Sequence, residues 1–354
     1  AGGGDLNNDG VDDVVVGAPR ASGSTNGGAA YVVYGRAAGS GFPAEIQASA
    51  FSMGDGSTGF ALYGIDDNDL AGSHVQFAGD INGDSIDDLI VHADNADPGG
   101  RIGAGESYVV FGRTASGGGF PGTFLLSSLA VGDGSTGFVL NGGTANSSPG
   151  QKVTLGAGDI NADGINDIVV GAPAAGQPGR EYDGEVYVVY GHDAADPFPV
   201  EIELSSLAAG DGSTGFVLYG VERGPGNPDN AGRSVATGDL NDDGIDDLIM
   251  GATSPNFAGR LGSSGIYVVY GRSELSGGFP AESELSALEM GDGSTGFVLY
   301  SGFSGGVGTS VGAGDVNGDS ITDMVIGAYH DDPGGRRDAG STFVVFGRSS
   351  GPPL

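Results

Sequence analysis

Short apolar runs bounded by glycine recur along the whole chain. Examples are Val14-Val15-Val16, Tyr31-Val32-Val33-Tyr34 and Tyr187-Val188-Val189-Tyr190. The runs are rich in β-branched and aromatic residues, which is typical of short strands separated by turns. Stretches that favour a helix are nearly absent. The pattern therefore predicts an all-β protein and argues against the α and α/β classes.

A polar phrase, Asp-x-Asn-x-Asp-(Gly/Ser)-x-x-Asp, interrupts this pattern five times. It starts at Asp5, Asp80, Asp159, Asp239 and Asp315, at spacings of 75, 79, 80 and 76 residues. A nearly constant period of this length indicates a propeller or a solenoid. We refer to the five phrases as the Asp loops, numbered one to five, and to the sequence around each of them as a repeat.

Each repeat has the same order of predicted elements. Strand A precedes the Asp loop, strand B follows it, and strand C has the form Tyr/Phe-Val-Val-Tyr/Phe-Gly. A linker containing Phe-Pro comes next, and then strand D, which a turn of sequence Gly-Asp-Gly-Ser-Thr-Gly-Phe introduces at Gly54, Gly132, Gly210 and Gly291. Four antiparallel strands per repeat predict the blades of a β-propeller, with the Asp loops between strands A and B. A linear array of small β modules is the alternative.

The predicted propeller occupies residues 1–354 as a single domain of five repeats, at about 1–64, 65–141, 142–220, 221–301 and 302–354. We expect the first repeat to lack a strand A before Asp5 and the fifth to lack a strand D after strand C. Open sheet edges are templates for pairing. We therefore expect either that a longer chain fills these edges, or that copies pack head to tail into a filament.

The repeats resemble the FG-GAP repeats of integrin α-subunit propellers, in particular the glycine-rich type found in secreted bacterial proteins. The resemblance rests on the Asp loop followed by Val-Val-Gly-Ala-Pro, as in Val15–Pro19 and Val169–Pro173, and on the aromatic strand C. The second repeat departs from this motif, with His92-Ala93-Asp94 in place of Gly-Ala-Pro. The resemblance implies a propeller fold, bound calcium and a structural or adhesive role without catalysis.

The Asp loops carry the oxygen ligands that calcium requires. Calcium takes six to eight oxygens, and a short loop can supply them from alternate positions. The predicted ligands are the side chains of positions one, three, five and nine and the backbone carbonyl of position seven. These residues are Asp5, Asn7, Asp9, Val11 and Asp13; Asp80, Asn82, Asp84, Ile86 and Asp88; Asp159, Asn161, Asp163, Ile165 and Asp167; Asp239, Asn241, Asp243, Ile245 and Asp247; and Asp315, Asn317, Asp319, Ile321 and Asp323.

The twelfth position separates these loops from an EF-hand, which needs a bidentate Glu there and then a helix. Here the twelfth residue is apolar and lies in strand B: Val16, Val91, Val170, Met250 or Ile326. Ser85 and Ser320 replace the glycine of position six, and we expect a looser turn at both. The alternative to calcium binding is a set of Asx turns, in which Asp and Asn act only as turn formers.

Composition and charge narrow the functional class. The chain has 46 acidic and 13 basic residues, a net charge of −33, and no cysteine. A nucleic-acid partner is excluded because phosphate binding needs a basic surface, and thiolate chemistry is excluded by the missing cysteines. No apolar run approaches the roughly 20 residues of a membrane-spanning helix, so membrane insertion is not expected. Calcium sites of this kind fill at extracellular calcium levels, which predicts a secreted or cell-surface protein.

The sequence therefore predicts a non-catalytic, calcium-stabilised extracellular propeller that binds a protein or cell-surface partner, with further copies of the chain among the candidates. The alternative is an accessory propeller of a secreted hydrolase or lipase, and a third possibility is a ligand-binding receptor propeller. The histidines lack metal-ligand spacing and are expected to fill strands or loops. The arginines after strand C, Arg36, Arg113, Arg272 and Arg348, are expected to pair with acids of neighbouring blades.

Overall fold

The computed structural model describes residues 1–21, 26–143, 153–176, 182–193, 195–222, 228–253, 264–301 and 306–349. Within them the chain forms 22 strands in five sheets and two short α-helices, α1 (Ser127–Ala130) and α2 (Ser286–Met290). The prediction of an all-β fold is confirmed. The chain divides into two compact bodies, one of Ala1–Pro149 with Gly191–Ser206 and one of Gly150–Tyr190 with Leu207–Leu354.

The first compact body holds two sheets. The strands of the first sheet are β1 (Gly2–Gly4), β2 (Asp13–Ala18), β3 (Ala29–Val33), β4 (Gly59–Tyr63) and β8 (Thr123–Leu125). Those of the second are β5 (Ala71–Gly79), β6 (Asp88–Ala93), β7 (Glu106–Val110), β9 (Gly137–Asn141) and β13 (Glu201–Glu203). In each sheet the first four strands named pair antiparallel in the predicted order A, B, C and D.

The second compact body holds three sheets. The third sheet consists of β10 (Thr154–Gly158), β11 (Asp167–Ala172), β12 (Glu185–Val189), β14 (Gly215–Tyr219) and β18 (Glu282–Glu284). The fourth consists of β15 (Ser234–Gly238), β16 (Asp247–Ala252), β17 (Gly265–Val269) and β19 (Gly296–Tyr300), and the fifth of β20 (Val307–Gly314), β21 (Asp323–Ala328) and β22 (Ser341–Val345). The described residues of the fifth sheet include no strand D, but residues 350–354 lie outside the described part, so the expectation that this repeat lacks one is not tested.

The first repeat does have a strand A, so the expectation that it lacks one is wrong. Strand β1 pairs antiparallel with β2, with Gly2 opposite Val14 and Gly4 opposite Asp13. Three successive glycines carry no apolar pattern, so this strand could not be recognised from its residues. The backbone alone makes this part of the ladder.

The linkers contribute a fifth strand that the sequence did not predict. Strands β8, β13 and β18, which we call the linker strands, pair parallel with β4, β9 and β14 respectively. Each linker strand follows strand C of one repeat and lies against strand D of the repeat before it. The outer edges of the first three sheets are thus covered, whereas in the part of the chain described here β19 is the last strand of the fourth sheet.

Strands B and C form the interior of the sheets. All six residues of β6 and of β16 are buried, as are all five of β12 and of β17. Burial on both faces explains why these strands read as continuous apolar runs and not as alternating ones. Among the described residues, no helix has the length and apolarity to cross a bilayer.

The glycine of Gly-Ala-Pro allows the close approach of the next strand A. A Cβ on Gly17 would lie 2.1 Å from the carbonyl oxygen of Gly72, and one on Gly251 would lie 1.8 Å from that of Gly308. No side chain fits at such a distance, so the motif is required by packing between successive sheets. The second repeat has His92 in place of this glycine, so a side chain occupies the position there.

Candidate metal-binding loops

The five Asp loops occupy equivalent places in the five sheets. Each loop connects strand A to strand B, and its ninth residue is the first residue of strand B. These residues are Asp13, Asp88, Asp167, Asp247 and Asp323. The structure thus brings the predicted ligands of each loop together in one tight turn, as the spacing predicted.

Two residues in each loop adopt the left-handed conformation. At position four these are Asn8, Gly83, Ala162, Asp242 and Gly318, with φ between 55° and 80°. At position six they are Gly10, Ser85, Gly164, Gly244 and Ser320, with φ between 66° and 86°. The serines therefore make the same turn as the glycines, and the looser turn expected at those sites is not observed. A non-glycine residue in this region costs on the order of 1–2 kcal/mol.

Hydrogen bonds within the loop fix the side chains. In loop one the Asp5 carboxylate accepts the backbone N–H groups of Asp9, at 3.0 Å, and Gly10, at 2.7 Å. The Asn7 side-chain oxygen also accepts the N–H of Asp9, and the Asp9 carboxylate accepts that of Val11, both at 3.0 Å. The bonds made by positions one and five recur in all five loops. The loops are therefore Asx turns, whether or not they also bind an ion.

The ninth aspartate ties the loop to strand C. The Asp13 carboxylate accepts the N–H of Leu6 at 3.0 Å and the N–H of Gly35, which follows β3, at 2.8 Å. Asp88, Asp247 and Asp323 make the same two bonds in their own sheets. All five of these aspartates are 0 % exposed. The ninth position is therefore a structural anchor as well as a predicted ligand.

Burial disfavours the charge of these anchoring carboxylates. It raises the pKa of Asp13 to about 6 and that of Asp247 to about 7, against the opposing effect of the two N–H bonds. The pKa of Asp88 is raised well above its usual range for the same reason. A neighbouring cation would favour the charged form and reverse the shift.

The donor set fits calcium, although the side chains do not form a ready-made cage. Carboxylate, amide and carbonyl oxygens are the ligands that calcium prefers. The side-chain oxygen of Asn241 is buried and accepts no hydrogen bond, which leaves one predicted ligand atom of loop four available. Over the described ranges, however, no three Asp, Glu or His side chains converge as a metal cluster. Calcium binding therefore stays a prediction. A carboxylate that accepts one or two N–H groups keeps lone pairs for a cation.

Position eight joins neighbouring loops, and sequence reasoning missed it. The Asp87 carboxylate of loop two accepts the N–H of Asp5 at 2.8 Å. Between loops three and four, the Asp246 carboxylate accepts the N–H of Asp159 at 3.1 Å, and the N–H of Asp246 donates to the carbonyl of Asp159 at 3.0 Å. The doubled aspartates of loops one, two and four were the available signal. This signal is weaker in loops three and five, because Asn166 and Thr322 replace the aspartate of position eight.

The second sheet contains a pair of histidines that were expected from the sequence only to fill strands or loops. His74 on β5 lies opposite His92 on β6. The Nδ1 atom of His92 lies 2.8 Å from the Ser107 hydroxyl, and its Nε2 atom lies 3.5 Å from the Asp94 carboxylate. Burial, with a smaller effect from His74, lowers the pKa of His92 to about 3. His92 is therefore neutral, and it replaces the glycine of the motif with a polar cluster.

Three of the four arginines after strand C, Arg36, Arg113 and Arg272, contact aromatic rings, and within the described residues none of these three forms the expected ion pair with an acid. The guanidinium of Arg113 lies 4.4 Å from the ring centre of Phe120, and that of Arg272 lies 4.2 Å from the ring of Phe279. Arg36 lies 5.1 Å from the ring of Phe42. These phenylalanines belong to the Phe-Pro pairs of the linkers. The arginines thus hold the linkers in place through cation–π contacts.

Comparison with known proteins identifies the repeats. The FG-GAP repeat family matches residues 1–33, 153–189, 231–269 and 307–345, which cover four of the five Asp loops. The chain therefore contains FG-GAP repeats, as the motifs indicated. The second repeat, which carries His92-Ala93-Asp94, lies outside the matched ranges.

Relatives of two kinds match parts of the chain. Phosphatidylinositol-glycan-specific phospholipase D of Homo sapiens is 33% identical over 196 residues, which are 55% of this chain and 20% of that protein. The Bos taurus protein is 32% identical over 192 residues, which are 54% of this chain and 20% of that protein. Integrin alpha-PS2 of Drosophila melanogaster is 34% identical over 125 residues, 34% of this chain and 8% of that protein. The chain spans about a fifth of the length of the phospholipases it matches.

A solved structure, an exotype rhamnogalacturonan lyase, aligns with 70% of this chain and 37% of its own at 13% identity and a TM-score of 0.37. A likeness of this size carries no argument about fold or function.

Proposed function

We propose that this FG-GAP repeat chain is a non-catalytic, calcium-stabilised propeller module that acts outside the cell in a structural or adhesive role. The observation that carries the proposal is the set of five Asp loops, each with three carboxylates, an amide and a carbonyl in one turn. The buried, unpaired side-chain oxygen of Asn241 supports a cation in loop four. The raised pKa values of Asp13 and Asp247 agree with this, because a bound cation would stabilise the charged form of these buried carboxylates. Calcium supplies the positive charge that the loops otherwise lack.

The extracellular assignment follows from the expected affinity. Extracellular calcium modules bind with a Kd of about 10⁻⁴ to 10⁻³ M, and such sites fill only at the calcium levels found outside cells. The net charge of −33 is consistent with an acidic surface that carries bound cations. A protein or cell-surface partner remains the proposed ligand, because 46 acidic residues against 13 basic ones disfavour binding to the phosphates of a nucleic acid.

Calorimetric titration of the calcium-free protein tests the metal proposal. We expect five calcium ions to bind, and four in an Asp163→Ala variant, because loop three supplies its own ligands. An Asp211→Ala variant is the matched control: Asp211 lies in the exposed turn before β14, where it accepts the N–H of Ser213 at 3.0 Å. Absence of calcium binding would refute the proposal. A loss of two ions from Asp163→Ala would show that the Asp246–Asp159 contact couples loops three and four.

A second candidate function is that of an accessory module of a hydrolase. The observation that favours it is the match of more than half of this chain to the phosphatidylinositol-glycan-specific phospholipases D. The test is to express the complete natural polypeptide and assay phospholipase and esterase activity with and without residues 1–354. Activity that resides in another domain and falls when this module is removed would support the accessory role. An inactive full-length protein would leave the adhesive role as the better account.

A further inference from the structure

The residue at position eight of an Asp loop reaches the loop of the preceding repeat. In the first compact body, the Asp87 carboxylate of loop two accepts the N–H of Asp5, the first predicted ligand of loop one, at 2.8 Å. In the second compact body, the Asp246 carboxylate of loop four accepts the N–H of Asp159, the first predicted ligand of loop three, at 3.1 Å. Each contact lies within one compact body and places an acid of one loop beside a predicted ligand of another.

Loop five makes the same backbone contact with loop four but carries a different side chain. The N–H of Asp246 donates to the carbonyl of Asp159 at 3.0 Å, and the N–H of Thr322 donates to the carbonyl of Asp239 at 3.1 Å. The two interfaces thus place position eight in the same way. They differ in charge, because Asp246 is an acid and Thr322 is neutral. Loops three and four therefore form a matched pair within the second compact body.

The glycine before each of these two loops makes room for the side chain of position eight. A Cβ on Gly158 would lie 2.4 Å from the Oδ2 atom of Asp246. A Cβ on Gly238 would lie 2.6 Å from the Cγ2 atom of Thr322. No Cβ fits at either distance. Close contact of position eight with the preceding loop is therefore a built feature of both interfaces.

A carboxylate that contacts a metal ligand without binding the metal acts in two ways. Its hydrogen bond fixes the ligand, and such partners change metal affinity by about 10–100-fold. Its negative charge also attracts the cation, because screening is incomplete over distances shorter than the Debye length. Asp246 can act on loop three in both ways. Thr322 brings no charge to loop four.

We propose that position eight sets the calcium affinity of the preceding loop. Asp87 strengthens calcium binding in loop one, and Asp246 strengthens it in loop three. Both are positioning residues, since each holds the backbone of a predicted ligand and adds a negative charge outside the ligand set. Thr322 gives loop four no such contribution. The inference rests on the proposed calcium function and adds to it a means by which one repeat adjusts the site of another.

Calcium titration of the 354-residue chain, followed by NMR, tests the inference loop by loop. The amides of Gly164 and Gly244 donate to the first predicted ligand of loops three and four, so the calcium midpoint of each amide reports its own loop. We expect Asp246→Asn to raise the midpoint of Gly164 about tenfold. Asparagine keeps an oxygen for the N–H of Asp159 and loses only the charge. The midpoint of Gly244 should change less, because the Asp246 carboxylate contacts loop three.

Thr322→Asp is the reciprocal variant. It should lower the midpoint of Gly244 and leave that of Gly164 in place, because it supplies the charge that loop four lacks from its neighbour. Thr322→Asn is the uncharged control and should not lower the midpoint. Asp211→Asn removes one charge from an exposed turn outside the loops and should change neither midpoint. The differences between each variant and the unaltered chain should shrink as salt is raised, because salt screens the added or removed charge.

The outcomes separate this inference from the proposed function. Absence of any calcium-dependent change at Gly164 and Gly244 in the unaltered chain would refute both. Normal calcium binding, with midpoints that Asp246→Asn and Thr322→Asp leave in place, would overturn the inference alone. A difference that high salt does not reduce would also overturn it, because charge would then not be the cause.

Discussion

The second and fourth sheets are built on the same four antiparallel strands, but their boundaries differ. In the second, β13 covers the outer edge of β9, and His74 lies opposite His92. In the fourth, β19 is the last of the described strands, and Ser234 lies opposite Gly251, where the Ser234 hydroxyl donates to the carbonyl of Gly308 at 2.9 Å. A repeat therefore determines its own ladder, whereas residues from the next repeat determine how that ladder ends and packs.

Both sheets contain an Asp loop, and removal of calcium acts on these loops. It should therefore have the largest effect. A site at a hundredfold excess of calcium over Kd contributes about 2.7 kcal/mol, and five sites roughly 13 kcal/mol. We expect excess chelator to lower the melting temperature by tens of degrees. Scanning calorimetry with chelator, and with chelator presaturated with calcium as the control, measures it. An unchanged melting temperature would show that the loops are held by their Asx turns alone.

Removal of the ninth aspartate should affect both sheets equally. Asp88→Ala and Asp247→Ala each leave two buried N–H groups without an acceptor. We expect each to lower the free energy of unfolding by about 2–4 kcal/mol in chelator, since an unsatisfied buried group costs about 1–3 kcal/mol.

Urea unfolding checks this prediction, with Asp292→Ala as the control. Asp292 lies in an exposed turn, where it accepts the N–H of Ser294, and its removal should leave the free energy of unfolding nearly unchanged. A clear difference between Asp88→Ala and Asp247→Ala would mean that the next repeat also stabilises the loop. That result would show that the strand ladders of the second and fourth sheets are not equivalent.

The outer edges should differ in hydrogen exchange. The N–H of Val139 donates to Val200, and that of Val217 to Ala281, both at 2.9 Å, whereas no linker strand among the described residues lies beside Val298. We expect the Val298 amide to exchange at least tenfold faster than the other two, because edge amides open to water without breaking the sheet. NMR of the calcium-saturated protein gives the rates. Equal protection would show that the fourth edge is covered.

The smallest expected effect is a pH dependence confined to the second sheet. His92 has a pKa of about 3 when folded and about 6.5 when unfolded. Its contribution to stability is thus fully present above pH 6.5 and is lost as the pH falls towards 3. Between pH 7 and pH 6 the loss is about 0.7 kcal/mol.

Replacement of this histidine isolates its contribution. His92→Gln should remove this part of the pH dependence when both proteins are unfolded in saturating calcium. The fourth sheet has no counterpart, because Gly251 occupies the equivalent position. A His92→Gln protein with the wild-type slope would assign the dependence to other groups.

The sequence predicted the ladder because its strands carry side-chain information. Strands B and C are apolar on both faces, and the Asp loops mark the turn between A and B. Strand β1 was missed because Gly2–Gly4 has no side chains to show a pattern. The linker strands were missed because Thr-Phe-Leu, Glu-Ile-Glu and Glu-Ser-Glu are only three residues long and have no apolar pattern in common. They are held by backbone pairing to a strand of another repeat, which local sequence does not encode.

The candidate site was predictable to a similar extent. The spacing placed positions one, three, five and nine in one turn, and the structure does so in every loop. It did not reveal that position four needs a left-handed backbone, because Asn8, Ala162 and Asp242 are chemically unlike. Nor did it reveal the contact from Asp87 to Asp5, since the position of one loop relative to the next depends on packing between sheets.

The linker strands also set an order of assembly during synthesis. Strand β4 ends at Tyr63, but the segment that covers it, Thr123–Leu125, is made about 60 residues later. At a ribosome rate of about 5–20 residues per second, the edge of the first sheet stays open for roughly 3–12 seconds. During that interval the outer edge of the newly made sheet is not yet covered by the linker strand of the next repeat. Nascent chains on neighbouring ribosomes thus have a time window in which a linker can add to the wrong chain.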